Sequence, residues 1–88
     1  MTYTVVLYRE PDGRYSVSVP ALKGCHTEGE SLAHAILMAE EVIALYLESL
    51  RDRGKSIPED VETFSMDMGE ATEALVCRLT VKEAAVAA

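Results

Sequence analysis

The side chains with most chemical potential in this 88-residue chain cluster near its first third: Cys25, His26, Glu28, Glu30 and His34. A thiol beside an imidazole can make a nucleophile and base. Two histidines with two carboxylates can hold a metal. Neither chemistry survives the spacing. Neighbouring residues on a strand point to opposite faces, which keeps the Cys25 sulfur away from the His26 ring. The His and Glu positions match no spacing that fixes a metal. A two-metal nuclease needs several carboxylates converging on ions about 4 Å apart. The apolar segment from Thr2 to Arg9 contains no Asp or Glu, and neither does the segment from Leu75 to Lys82. Glu40 and Glu41 are left without carboxylate partners. The expectation is a chain without catalytic residues, metal or cofactor, whose work is binding.

Composition narrows the partners. The chain is 49% hydrophobic and 26% charged, as a folded single domain requires. At 88 residues its own core is small, so self-association is a natural source of further burial. A formal net charge of −7 disfavours direct contact with nucleic acid and favours a basic protein. Cys25 and Cys77 are too few for a disulfide scaffold or a CxxC zinc site, and both are expected to be buried as small apolar groups. No signal-peptide pattern opens the chain, and no apolar run nears the roughly 20 residues that span a bilayer. A cytoplasmic location follows as the expectation.

The elements that position these residues come from period and punctuation. Residues 2–9, rich in Val and Tyr, form a first strand. Pro11-Asp12-Gly13 supplies a hairpin turn, and Tyr15, Val17 and Val19 alternate with Ser16 and Ser18 on a second strand over 14–19. Pro20 ends it. A short third strand lies around 25–27, between Gly24 and Gly29. Ser31 caps a helix over about 32–53, closed by Gly54. Its core stripe is Leu32, Ala35, Ile36, Ala39, Val42, Ile43, Tyr46, Leu47 and Leu50. An acidic connection fills 55–74, a last strand runs over 75–81, and an Ala-rich tail at 83–88 should fray. The order is β-β-β-α-β. The right-handed crossover rule then sets the last strand beside the first, in parallel. The predicted fold is α+β: a four-stranded mixed sheet in the order 3-2-1-4 with one long helix on one face. The other face would expose part of Tyr3, Ser16 and Ser18.

Four pieces together resemble the HicB-like antitoxin domain over about residues 3–58. They are Asp12-Gly13 followed by Tyr15; Pro20-x-Leu22-x-Gly24-Cys25; Gly29-x-Ser31 at the helix start; and Tyr46-Leu47 near its end. The resemblance implies a partial RNase H-like sheet with one helix. It also implies an antitoxin that neutralises a small basic mRNA-cleaving toxin of HicA type. Many such proteins continue into a DNA-binding segment; here nothing basic or helical follows the last strand, so direct DNA contact is not expected. The chain also has His34 where a capping-box glutamate would stand, which removes the reciprocal half of that box.

Binding surfaces are the remaining question. Leu37, Met38, Ala44 and Leu45 lie off the core stripe, among Glu41 and Glu48, a mixture suited to a protein interface with an acidic rim. A wider acidic set, Glu28, Glu30, Glu59, Asp60, Glu62, Asp67, Glu70 and Glu73, could steer a cationic partner. The predicted contact residues are Glu28, Glu30, Leu37, Glu41, Leu45 and Glu48. The function expected is type II antitoxin, acting by occlusion of a basic toxin, with a homodimer or higher homo-oligomer as its state. The alternative is a stand-alone homo-oligomeric module that binds a small ligand or regulates another protein.

Overall fold

The computed structural model describes residues 1–82, so the predicted fraying at 83–88 lies outside the described residues. Strands β1 (Thr2–Arg9), β2 (Tyr15–Ser18) and β3 (His26–Gly29) form an antiparallel meander, α1 spans Leu32–Asp52, and β4 covers Glu73–Thr80. The sheet order is β3-β2-β1-β4, as the sequence predicts.

The orientation of β4 is a correction. It pairs with β1 antiparallel, Thr2 opposite Thr80 and Arg9 opposite Glu73, so the sheet is not mixed. The crossover rule assumes that the helix itself delivers the chain to the next strand. Here residues 53–72 do so. They pass the start of β1, where the Tyr3 hydroxyl donates to the Pro58 carbonyl and Asp60 binds Thr4. They reach β4 at the far end, where the Thr72 N–H donates to the Arg9 carbonyl at 2.7 Å. A connection that runs the length of β1 reverses the strand that follows.

The core lies between α1 and one face of the sheet. Tyr3, Val5 and Leu7 of β1 alternate toward the helix and meet Val17, Val19, Leu22, Ala35, Ala39, Ile43 and Leu47, all at most 2% exposed. Tyr3 is therefore a core residue, at 0% exposure, and not part of the open face. Its odd position places it with Val5 and Leu7, and its polar tip has a partner, so burial leaves no orphaned hydroxyl. The stripe on α1 departs from the periodicity only at its start, since Ile36, Val42 and Tyr46 are partly buried against the core. Ala35, Ala39, Ile43, Leu47 and Leu50 are buried, whereas Leu32 in the first turn is 38% exposed.

Short side chains on that stripe let α1 sit close to the sheet. A Cβ on Gly29 would lie 2.5 Å from the Ala35 backbone, a distance no real side chain occupies. At its other end α1 closes with Gly54 at φ +66°; the Lys55 N–H donates to the Leu50 carbonyl and the Gly54 N–H to that of Arg51. This is the Schellman arrangement.

Candidate partner-binding surface

The predicted contact residues fall into two groups on opposite sides of the sheet. Leu37, Glu41, Leu45 and Glu48 recur at helical spacing along the solvent side of α1, with Leu37 62% and Leu45 57% exposed. Met38 and Ala44 flank them, half-buried. Two leucines held open two helical turns apart, with glutamates in line, form an apolar strip with an acidic edge.

Glu28 and Glu30 do not join that strip. In register, Glu28 sits opposite Ser16 and shares its face, the one away from α1. Both glutamates reach Arg14, at 3.6 and 3.9 Å. Other members of the acidic set are also engaged within the chain: Glu73 with Arg9 at 3.8 Å, and Asp67 with the Gly69 N–H at 3.0 Å. The surface is acidic, but much of its charge is spoken for locally.

Asp60 has the most specific internal role. Its carboxylate accepts the Thr4 N–H at 2.9 Å and the Thr4 hydroxyl at 2.8 Å. Thr4 lies beyond the reach of the short β2, so without Asp60 its N–H would be buried and unpaired. Desolvation works against ionisation of Asp60, yet the Thr4 bonds, the Val61 N–H and the charge of Arg78 together hold its pKa below the ordinary carboxylate value. A sequence reading counts Asp60 only as one of many acids. Its role depends on β2 stopping short of Thr4, which no local pattern announces.

The helix start differs from expectation in an instructive way. Ser31 Oγ accepts the His34 N–H at 3.1 Å, as an N-cap should. His34 Nδ1 in turn accepts the Glu30 N–H at 3.0 Å. The reciprocal half of the capping box is not lost; an imidazole supplies it one residue further out.

Cys25 and His26 separate as strand geometry requires. Cys25 is 2% exposed in the core, and burial pushes its thiol up to about 11, so it stays protonated and a poor nucleophile at neutral pH. His26 is exposed at the start of β3. Cys77 is only partly buried on β4, against expectation, because β4 is an edge strand that α1 barely reaches; burial raises its thiol pKa as well. Both cysteines are free. No group of three or more His, Cys, Asp or Glu among the described residues is placed to hold a metal ion, and no helix among them is long and apolar enough to cross a membrane.

A groove that sequence reasoning missed opens on the sheet face away from α1, with a volume of about 580 Å³. Tyr8, Ser16, Ser18, His26 and Glu28 form its floor, and Ser65 and Asp67 of the connection form its wall. Only alternation of Ser16 and Ser18 with valines hinted at a wet face here. The wall comes from a segment with no periodic signal.

The motif residues that mark the sequence prove to be scaffold. Gly13 takes φ +91° in the hairpin turn, and Gly24 takes φ +78° where Cys25 N–H returns to the Leu22 carbonyl. Tyr46 donates to the Lys23 carbonyl at 2.8 Å, tying α1 to the same loop.

Comparison with known proteins agrees with this architecture. Residues 3–84 match the family described as HicB-like antitoxin of bacterial toxin–antitoxin systems. A UPF0150 protein of Thermoplasma acidophilum is 43% identical over 60 residues, covering 68% of this chain and 87% of its own. A second UPF0150 protein, from Synechocystis, is 43% identical over 58 residues, covering 66% and 73%. Among solved structures, the N-terminal domain of the Burkholderia pseudomallei antitoxin HicB superposes with a TM-score of 0.67 at 26% identity, over 93% of this chain and 99% of that one. A chain of a HicA3–HicB3 toxin–antitoxin complex shares the fold, with a TM-score of 0.64 at 18% identity over 93% and 99%. On this match across nearly its whole length, the chain belongs to the HicB-like antitoxin family.

Proposed function

We propose that the protein is a type II antitoxin that binds a small basic mRNA-cleaving toxin of HicA type and silences it by occlusion. Family membership supplies the class of activity. The observation that carries the mechanism is the open strip Leu37, Glu41, Leu45 and Glu48 on α1, where the two leucines are 62% and 57% exposed among the described residues. Burying them against a partner gives affinity, and the glutamates along the strip oppose a cationic surface. Glu28 and Glu30 contribute at longer range, through the net charge of −7, which speeds encounter with a basic protein.

In this reading the chain performs no catalysis, needs no cofactor and works in the cytoplasm. It does not touch nucleic acid directly, because its charge repels phosphate. The outer-sheet groove favours a second reading, a module that takes a small polar ligand between Tyr8, His26 and Asp67.

Tagged protein captured from its native lysate at moderate salt should retain a small basic protein near one-to-one. That protein alone should degrade mRNA, and adding the purified chain back should stop it. Association should slow sharply as salt rises. A chain that elutes without any basic partner contradicts the antitoxin reading and leaves the ligand-binding module.

A further inference from the structure

The groove of about 580 Å³ lies across the sheet from the α1 strip. Strand register sets out its floor. Tyr8, Ser16 and Glu28 stand in one row across β1, β2 and β3, and Ser18 and His26 stand in the next, all on the face away from α1. The connection is bonded to both ends of β1, at Thr4 through Asp60 and at Arg9 through Thr72, so Ser65 and Asp67 wall the groove along its β1 side. Glu28 closes the β3 side. These two strands are two inter-strand spacings apart, about 10 Å. One carboxylate therefore stands on each side of the groove.

The lining is rich in groups that can accept a hydrogen bond. Among the described residues, the hydroxyls of Tyr8, Ser16, Ser18 and Ser65 make no hydrogen bond within the fold. One Asp67 oxygen accepts the Gly69 N–H at 3.0 Å, which leaves the other open. Glu28 and Glu30 share Arg14 at 3.6 and 3.9 Å, so one guanidinium is divided between two carboxylates and does not cancel them. No Lys or Arg lines the groove. An anion is repelled there, whereas an ammonium, with three donors and no acceptor, matches the lining, and the Tyr8 ring offers it an aromatic face. The carboxylates are too dispersed for a metal ion: no group of three or more His, Cys, Asp or Glu among the described residues is placed to hold one.

We propose that this groove binds a linear aliphatic polyamine, with one ammonium at Asp67, another at Glu28 and the methylene chain lying over Tyr8 and Ser16 between them. The proposal rests on the reading of the groove as a ligand site and is independent of the toxin reading. Two separated carboxylates select a chain charged at both ends over a single amine, which could satisfy only one side.

The test is an NMR titration of the isotope-labelled full chain with spermidine in about 150 mM salt, which screens non-specific attraction. Amide signals of Tyr8, Ser16, Ser18, Glu28 and Asp67 should shift and saturate together, while those of the α1 strip stay still. Asp67→Asn, which keeps an acceptor for the Gly69 N–H, and Glu28→Gln should each weaken binding at least about fivefold. Glu59→Gln removes the same charge outside the groove and should change binding less than about twofold. The spectra also show that each variant folds. Glucose and inorganic phosphate are titrated in parallel. Groove shifts with either of these but not with spermidine overturn the polyamine and keep the groove as a ligand site; no shift with any of the three overturns both. Spermidine shifts scattered over the acidic surface, or equal weakening in Glu59→Gln, show counterion attraction alone and overturn the proposal.

Discussion

The two edges of this sheet are built on opposite terms. The β3 edge is four residues long, carries exposed His26 and Glu28, is tethered through Arg14 and is pressed against α1 so closely that position 29 admits only glycine. The β4 edge is twice that length, carries Leu75, Val76, Cys77 and Leu79, and is barely touched by the helix. A short charged edge resists further pairing and a long apolar one invites it. The difference teaches that α1 stabilises one end of the sheet and leaves the other available.

The contrast can be broken most severely at Gly29. Gly29→Ala forces a Cβ into the Ala35 backbone and should cost about 3 kcal/mol, seen as a melting temperature lower by roughly 10–20 °C. If the melting temperature is unchanged, α1 is not locked to the β3 edge.

Asp60 probes the other side, where the connection and not the helix braces β1. Asp60→Ala strands the Thr4 N–H and hydroxyl and should cost about 2 kcal/mol in denaturant titration. Its pH signature has a definite sign. The folded-state pKa lies below the unfolded value, so this stability is complete above the ordinary carboxylate range and is lost as pH falls through the lowered folded value. Asp60→Asn should flatten that acid-side decline relative to wild type.

Ser31→Ala, which removes the α1 cap, should cost about 1 kcal/mol in the same titration. Smallest is Arg14→Ala. It releases Glu28 and Glu30 from exposed ion pairs, which should shift stability by less than about 0.5 kcal/mol. The same change should speed association with a basic partner at low salt, measurable by stopped flow, because two glutamates regain their full field.

Most of the scaffold was legible in the sequence, because Asp12-Gly13, Ser31 and Gly54 act locally: each sets a turn or a helix end through its own backbone and immediate neighbours. The order of the first three strands followed from the same signals, and the crossover rule placed β4 beside β1. The direction of β4 did not, since it depends on where residues 53–72 travel, and that path is fixed by the Tyr3–Pro58 and Thr4–Asp60 contacts between distant segments. The candidate site was half legible for the same reason. Helical spacing identified the strip of Leu37, Glu41, Leu45 and Glu48, but grouping it with Glu28 and Glu30 required knowing which face of β3 the Glu28 side chain takes. The motif that marks the family says little about partners, because Gly24, Gly29 and Tyr46 shape the backbone and its packing.

The most direct test sets the two regions side by side: recovery of a small basic protein from native lysate on immobilised wild type, Leu45→Asp and Val76→Lys chains. Recovery should be near-stoichiometric on wild type and Val76→Lys, and at least tenfold lower on Leu45→Asp. Equal recovery on all three, or loss on Val76→Lys alone, would contradict the assignment of the α1 strip to the toxin.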